Sequence, residues 1–334
     1  MTKGTKIFRI IVCTLLGLTM LCSLFFSALF VLYMDKAVLG AGFGIYVAGV
    51  EVTEYNEDDV LGDGTVSYNP VSNTLTLNNA NIEHDYAIIL SVIDLKIELI
   101  GENRFLCKDR NYITAIYVAD GVLEKDLTLE GDGSLTIEFQ NVTEDAQGIL
   151  AQNLHITADI NLIMPDCSNI VNAVICESSL YVGNKASLTV QNGSGVHSSA
   201  IRVRGNALFE EGTTVNVTVN PGTEKSCKGF SINGDLILGA NVSLSVSMDD
   251  AAAEASDCIR VTGIMDIGAG STLSGEAKKA YGIECFGPIK LGKGASVTAE
   301  GAGEDVDIFC YGALVNCGAT VKGEVVAIGG EHSK

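Results

Sequence analysis

Five residues with aromatic or charged side chains hold related places in the sequence. Tyr117, Arg202, Arg260 and Glu284 each follow a pair made of a small residue and an apolar one, and Arg204 lies two residues after Arg202. A face with Tyr, Arg and Glu can stack on sugar rings and hydrogen-bond to them. These five are therefore candidate ligand-binding residues. The alternative is a solvated face whose ion pairs contribute at most about 1 kcal/mol each.

An acidic turn provides a second candidate site. Asp58, Asp59 and Asp63 lie within six residues of one another. Clustered carboxylates suit Ca²⁺, which binds through oxygen ligands. The turn lacks the alternating oxygen positions of an EF-hand loop, so an ordinary acidic turn is favoured and a calcium site is the alternative. We therefore expect no cofactor.

Cysteines recur at one position of the same pattern. The chain has ten of them, and Cys176, Cys285 and Cys310 each lie two residues after a small–apolar pair. Cys285 and Cys310 belong to consecutive pairs, so the expected separation of about 5 Å permits a disulfide. Free buried thiols that act as small apolar residues are the favoured alternative. Neither a CxxC spacing nor a cysteine–histidine cluster indicates zinc.

The small–apolar pair recurs along most of the chain, at intervals of 24 to 33 residues. Another residue, usually apolar, follows each pair two positions later, which is the alternation of a strand with one buried face. A period in the twenties without a helical pattern predicts one turn of a solenoid per copy. The pairs are Ala87-Ile88, Ala115-Ile116, Gly148-Ile149, Ala173-Val174, Ala200-Ile201, Gly229-Phe230, Cys258-Ile259, Gly282-Ile283 and Asp307-Ile308.

The residue that follows each pair is expected to face outward. At four copies this residue is apolar, which suggests a covering loop or, as a second possibility, a partner surface. We predict an all-β fold, a single-stranded right-handed parallel β-helix of about nine coils. An antiparallel sandwich is the alternative, but its strands rarely repeat so regular a pair. The four outward apolar residues are Ile89, Leu150, Ile175 and Phe309.

Composition and charge agree with a thin core and exclude some partners. Hydrophobic residues make up 47% of the chain, yet aromatic residues make up only 6% and Trp is absent. Such a composition suits a thin core filled by stacked, branched side chains better than it suits a bulky globular core. The net charge of −20 argues against binding to nucleic acid or to anionic lipid surfaces.

The N-terminal segment predicts a membrane anchor. Residues 10–34 carry no charge, and Lys3, Lys6 and Arg9 precede them. A run of this length spans a bilayer as a helix, and it exceeds the usual apolar core of a signal peptide, about 7–15 residues. Residues 1–41 are therefore predicted to be a basic flank and an uncleaved signal anchor, with the rest of the chain outside. A cleaved signal and a secreted protein are the alternative.

The remaining chain divides into a cap and a solenoid. In residues 42–82 an acidic turn precedes two short strands around an Asn-Pro turn, which predicts a hairpin. A solenoid needs such a cover because its first turn exposes apolar columns and unpaired strand edges. We assign residues 42–82 to an N-terminal β cap and residues 83–334 to the β-helix with a closing segment.

The cap and several later runs resemble a known family. Residues 49–82 (GVEVTEYNEDDVLGDGTVSYNPVSNTLTLNNANI) are similar to the opening of carbohydrate-binding-domain surface proteins of Gram-positive bacteria. The runs SLYVGNKASLTV, LILGANVSLSV and IKLGKGASVTAEG resemble the coils of those proteins, and the resemblance covers roughly residues 45–325. It implies a right-handed parallel β-helix like the pectin-lyase type, an extracellular location and glycan binding.

Three functions follow as hypotheses. The first is non-catalytic binding of a polysaccharide or cell-wall glycan at the cell surface. The second is a structural stalk or adhesin with a protein partner. The third is a polysaccharide lyase or hydrolase, but the sequence lacks the Gly-His-Gly and Arg-x-Lys motifs of polygalacturonase-like enzymes. A fold alone confers no activity, so we expect a binding protein that is not an enzyme.

Overall fold

A computed structural model describes residues 42–121, 124–183, 185–220, 226–248, 257–277, 281–301 and 306–333. Within these ranges the regular secondary structure consists of β-strands. The described part of the chain contains no helix that is long and apolar enough to span a bilayer. The predicted signal anchor in residues 1–41 lies outside the described residues.

The strands are short and follow one another closely along the chain. They are β1 (Gly42–Val47), β2 (Val50–Thr53), β3 (Val66–Asn69), β4 (Thr74–Asn78), β5 (Asn81–His84), β6 (Ile89–Ser91), β7 (Leu95–Ile100), β8 (Glu102–Lys108), β9 (Tyr112–Val118), β10 (Leu127–Glu130), β11 (Ser134–Gln140), β12 (Asp145–Ile156), β13 (Asp159–Ile163), β14 (Ile170–Val182), β15 (Ser187–Asn192), β16 (His197–Val203), β17 (Ala207–Phe209), β18 (Thr214–Val219), β19 (Ser226–Ile232), β20 (Leu236–Leu238), β21 (Ser243–Met248), β22 (Ile259–Val261), β23 (Met265–Ile267), β24 (Thr272–Ala277), β25 (Ile283–Cys285), β26 (Ile289–Leu291), β27 (Ser296–Glu300), β28 (Ile308–Cys310), β29 (Leu314–Asn316), β30 (Thr320–Lys322), β31 (Val325–Ala327) and β32 (Glu331–Ser333).

Three strands make one turn of a right-handed parallel β-solenoid. The first, second and third strands of a turn, such as β16, β17 and β18, pair in parallel with β19, β20 and β21 of the next turn. In β12 and β14 the first and second strands are continuous. The solenoid has about eight turns, so the predicted architecture is confirmed with about one turn fewer than expected.

Equivalent side chains lie above one another inside the solenoid. Ile201 aligns with Phe230, and Phe230 aligns with Ile259, in successive first strands. All three are fully buried. Each such side chain contributes roughly 1.5–3 kcal/mol on burial. The predicted single file of inward residues is therefore confirmed, and it forms the core.

The register of the first copy differs from the prediction. Ile89, which was expected to face outward, aligns with Ile116 in the inward file and is fully buried. Since Ile89 aligns with Ile116, Ile88 takes the position of the small residue Ala115, and the N–H of Ile88 donates to the carbonyl of Ala115 at 2.9 Å. Leu90 takes the outward place. Because Ile88, Ile89 and Leu90 are all apolar, the alternation of inward and outward residues fits this strand in two registers. A shift of one residue exchanges the inward and outward faces of the strand.

The other outward apolar residues are less exposed than predicted. Ile175 does lie in the outward file, but only 1% of its surface is accessible. Leu150 and Phe309 are half-buried. The predicted outward direction is therefore wrong for Ile89. Ile175 lies outward as predicted, and its burial agrees with a covered face rather than with a partner surface.

The bend between the second and third strands repeats a left-handed backbone conformation. Gly212, Asn241, Gly270 and Gly294 occupy this position in successive turns, with φ between 55° and 77°. Glycine adopts this region freely and asparagine tolerates it, whereas other L-residues rarely do. A residue in the left-handed conformation therefore marks the corner at which each of these turns begins its third strand.

The N-terminal strands cover the first turn. β3 and β4 form an antiparallel hairpin, as predicted, and β4 then pairs in parallel with β7. β1 pairs antiparallel with β6. By internal contacts the described residues of Gly44–Val52 and those from Asn56 onward form one compact unit, to which the solenoid turns belong.

Cys285 and Cys310 are neighbours in consecutive turns. Both are free and buried, so the favoured alternative of free thiols is confirmed. Their sulfur atoms contact the carbonyl of Gly287 at 3.4 and 3.3 Å. Burial raises the pKa of the Cys285 thiol to about 12, which keeps it protonated.

Candidate functional site

The predicted site residues belong to one outward file on the first strands. Arg202 and Arg260 are separated in this file by Ser231, and Glu284 directly follows Arg260. Tyr117 lies three turns before Arg202, roughly 14 Å away at the usual strand spacing of about 4.8 Å. The structure thus brings Arg202 near Arg260 and Glu284, whereas Tyr117 belongs to a separate region of the same file.

The small–apolar pair creates a change of phase in each first strand. In β9, Ala115 and Ile116 are both fully buried, although they are consecutive. Thr114 before the pair and Tyr117 after it are both half-exposed. Two successive inward residues therefore bring the residues on either side of the pair to the same outer surface. The sequence pattern does not indicate this second outward file, because the pattern begins at the small–apolar pair.

Tyr117 lines a groove of about 380 Å³ together with two further tyrosines, Tyr86 and Tyr112. Tyr86 is 55% exposed and Tyr112 is 60% exposed. Tyr112 lies in the same strand as Tyr117, five residues earlier, and the change of phase brings both to one side. Exposed aromatic rings that share a groove offer flat apolar surfaces to a ligand. Leu90 and Thr114 also line this tyrosine groove.

Neighbouring polar groups position two of these rings. The Arg110 guanidinium lies 5.7 Å from the centroid of the Tyr86 ring, and its Nε donates to the carbonyl of Asp85 at 2.7 Å. A hydrogen bond to Glu144 raises the pKa of the Tyr112 hydroxyl above its ordinary value of 10.0, so Tyr112 stays a neutral donor. Tyr86 and Tyr112 are functional candidates that the sequence pattern did not indicate.

Arg202 and Arg204 line a second cavity, of about 360 Å³, together with Lys228. We call this the cationic cleft. Glu177 pairs with Arg204 at 2.6 Å and with Arg202 at 3.7 Å, and its side chain is only 13% exposed. Lys228 aligns with Ser199, so it occupies the outward file before the pair. The other described residues that line the cleft are Ser198, Ser199, Ser231 and Asn233.

Arg260 and Glu284 form a third cluster with Asp257. Arg260 Nη1 lies 3.1 Å from Asp257 Oδ2 and 3.5 Å from Glu284 Oε2. Burial raises the pKa of Glu284 above its ordinary value of 4.5, and the charge of Asp257 raises it further, while Arg260 opposes both effects. Two carboxylates with different environments therefore share one arginine.

Aromatic side chains surround this third cluster. The guanidinium of Arg260 lies 4.9 Å from the centroid of the Phe286 ring. Phe286 stacks on Tyr311 at 4.6 Å, and Phe309 meets Tyr311 edge-on at 4.7 Å. Tyr311 is 43% exposed. The first-strand surface thus carries aromatic residues near both ends and cations between them.

The acidic turn uses its carboxylates for its own backbone. Asp59 Oδ1 accepts N–H bonds from Gly62, Asp63 and Gly64 at 2.9, 3.1 and 3.0 Å. Asp63 Oδ1 accepts both the N–H and the hydroxyl of Thr65. Within the described ranges no group of three or more acidic, histidine or cysteine side chains gathers where it could hold a metal ion. That Asp58, Asp59 and Asp63 form an ordinary acidic turn, with a calcium site as the alternative, stays a prediction.

Comparison with known proteins returned no relatives. Protein-family models, curated proteins and solved structures all gave no match to the chain. The parallel β-solenoid therefore rests on the strand pairing of the chain itself. The resemblance to surface proteins of Gram-positive bacteria supports a function only as a proposal.

Proposed function

We propose that this chain is a membrane-anchored extracellular protein that binds polysaccharide through its first-strand surface and catalyses no reaction. The tyrosine groove is the observation that carries the proposal. Tyr86, Tyr112 and Tyr117 expose three aromatic rings to one cavity of about 380 Å³. Aromatic faces stack on the apolar sides of sugar rings, while hydroxyl groups hydrogen-bond to their edges. A solvated sheet face has no need of clustered exposed tyrosines.

The predicted charged residues extend this surface along the solenoid. Arg202, Arg204, Arg260 and Glu284 follow the groove at intervals fixed by the turn spacing. Their side chains offer donors and acceptors to successive units of an extended chain molecule. A polymer that lay parallel to the axis would meet aromatic, cationic and aromatic regions in turn. Repeated weak contacts of this kind suit a polymeric ligand.

Location and lineage are proposed from the sequence. The uncharged residues 10–34 after a basic flank support a single-pass anchor with the solenoid outside. The resemblance of residues 49–82 to surface proteins of Gram-positive bacteria supports a pectin-lyase-like β-helix and a cell-wall setting. The net charge of −20 suits solubility outside the membrane.

A glycan array with the full-length chain in neutral detergent tests the proposal. Tyr86→Ala and Tyr112→Ala should each weaken binding roughly 3- to 10-fold, the equivalent of about 0.5–1.5 kcal/mol per aromatic contact. Tyr55→Ala is the matched control, because Tyr55 is 64% exposed and does not line the groove. Absence of binding across plant and bacterial wall glycans, or equal loss in the control, refutes the proposal.

The second candidate function is a stalk or adhesin with a protein partner. The aromatic cluster of Phe286, Phe309 and Tyr311 favours it, because clustered aromatic residues anchor protein interfaces. A pull-down from cell-wall extract that Tyr311→Ala abolishes, with no glycan binding in the array, would favour this function over the first.

The third candidate is a polysaccharide lyase or hydrolase. It is supported by the cluster of Asp257, Arg260 and Glu284, in which a carboxyl of raised pKa lies near a second carboxylate. Turnover of a uronate polymer that Arg260→Ala or Arg202→Ala abolished would establish an enzyme and reverse our ranking.

A further inference from the structure

We infer that the cationic cleft is a binding site for a tetrahedral oxyanion, a phosphate or sulfate group. The inference concerns the cleft of Arg202, Arg204 and Lys228 and holds whether or not the chain binds polysaccharide. It assigns the site a ligand chemistry that neutral sugar binding does not require.

The cationic cleft concentrates positive charge in an acidic protein. The whole chain carries a net charge of −20, with 41 acidic and 21 basic residues. The described residues that line the cleft reverse this balance, since three are cationic and none is acidic. Cations gathered in a cavity of an acidic protein raise the local concentration of anions there, although the molecule as a whole repels them. The concentration of positive charge therefore indicates an anionic ligand.

The residues that line the cationic cleft offer many hydrogen-bond donors. Arginine offers five N–H donors in a planar fork, and lysine adds three rotatable ones. Ser198, Ser199 and Ser231 add hydroxyl groups, and Asn233 adds an amide. Donors that converge from several residues match the several acceptor oxygens of a phosphate or sulfate group. A neutral sugar hydroxyl needs one or two of them.

Arg202 has donor capacity that the protein leaves unused. Its Nε is buried and has no hydrogen-bond partner within the described part of the chain. Glu177 is the ion-pair partner of both arginines and lies 2.6 Å from Arg204 Nη1, but 3.7 Å from Arg202 Nη2. A buried donor without a partner costs free energy, so the protein itself pairs this guanidinium incompletely, while 39% of the Arg202 side chain stays accessible to a ligand.

Glu177 gives the cleft its geometry. The carboxylate lies between the two guanidinium groups and is 13% exposed, so it orients both from one side. Glu177 sets one negative charge against the three cations of the cleft, and the charge of Lys228 also acts on Glu284. The positive charge that remains favours an anion such as phosphate or sulfate.

Calorimetric titration of the full-length chain in neutral detergent tests the inference, with inorganic phosphate, inorganic sulfate, glucose 6-phosphate and glucose as separate ligands. We expect phosphate and sulfate to bind at low salt. Lys228→Gln and Arg204→Gln should each weaken that binding roughly tenfold, the loss of one charge-assisted hydrogen bond. Arg104→Gln is the matched control, because Arg104 is also half-exposed and ion-paired, with Glu138 at 2.6 Å on a third strand.

The conservative variant Arg204→Lys separates binding from folding. It retains the charge and loses the planar fork, so it should bind phosphate with intermediate affinity at an unchanged melting temperature. Tighter binding of glucose 6-phosphate than of inorganic phosphate would show that the anion is carried by a sugar. Equal binding would show a site for the free anion.

Two results overturn the inference. One is no binding of phosphate or sulfate at low salt by the wild-type chain. The other is equal loss of binding in Arg104→Gln, which would indicate general electrostatics. Glycan binding without anion binding would leave the proposed function standing and remove this inference. Anion binding without glycan binding would do the reverse, so the two failures are distinguishable.

Discussion

Replacement of Phe230 by alanine tests the stacking that holds the solenoid together. Phe230 lies between Ile201 and Ile259 in the inward file of the first strands and is fully buried. Its ring meets the ring of Phe209 edge-on, with centroids 5.9 Å apart and planes at 74°. The substitution removes this contact and opens a cavity between the two neighbouring turns.

The expected loss is about 3–5 kcal/mol of unfolding free energy, the usual cost of a buried Phe→Ala change. Parallel strands that are paired on both sides leave little freedom for the neighbours to collapse into the cavity, so we expect the upper half of this range. A typical domain has about 5–15 kcal/mol of total stability, so this single change is a large fraction of it.

Hydrogen exchange gives the assay a spatial readout. Turns of a solenoid contact only adjacent turns, so protection should fall most in β16, β19 and β22 and least in β27 and β28. Leu208→Ala is the control, because Leu208 is 37% exposed and faces outward in the turn before. Its expected cost is within about 0.5 kcal/mol. Equal costs for the two variants, or a uniform loss of protection, would refute the stacking argument.

Three further predictions concern the site and the core. Burial and Asp257 raise the pKa of Glu284 above 4.5, so the folded chain binds this proton more tightly than the unfolded chain. Its contribution to stability is therefore fully present below pH 4.5 and is lost as the pH rises through the raised pKa. Melting temperatures measured across pH should therefore show Glu284→Gln becoming more stable relative to the wild type as the pH rises. Cys285, with a pKa of about 12, should resist alkylation at neutral pH until the chain unfolds, as mass spectrometry would show. Addition of Ca²⁺ should leave the melting temperature unchanged, because oxygens of Asp59 and Asp63 already accept backbone hydrogen bonds.

Each of these predictions has a contrary result. A constant difference between Glu284→Gln and the wild type at every pH would show that Glu284 does not titrate in an altered environment. Labelling of Cys285 in the folded chain would show that the inward file is accessible. A rise in melting temperature with Ca²⁺ that Asp63→Asn removed would establish the calcium site in the acidic turn.

The inward file was predictable because its chemistry repeats with little ambiguity. From Ile116 to Ile283 each copy has one small residue before a large apolar one, Asp307 takes that place in the looser last copy, and the aligned strands agree. The first copy failed because Ile88, Ile89 and Leu90 are all apolar, and alternation cannot fix the phase of such a run. Burial also depends on neighbours, which is why Ile175 is inaccessible although it lies in the outward file as predicted.

The candidate site was predictable only in part. Arg202, Arg260 and Glu284 hold a fixed place relative to the repeated pair, so the pattern finds them. Tyr86 precedes the first strand of its turn, and Tyr112 lies before the change of phase. Lys228 was missed for the same reason, since it directly precedes Gly229 of a pair. A search of the residue before each small one would have found Lys228 and the position of Thr114.

Because each turn pairs with its immediate neighbours, the solenoid sets distances along its axis in steps of one turn. The number of turns between β9 and β16 alone fixes the distance from the tyrosine groove to the cationic cleft. Duplication of one turn in that interval would move the two sites apart by about 4.8 Å while each kept its own walls. Variation in coil number would thus tune which spacing of features on a long polymer the molecule can match.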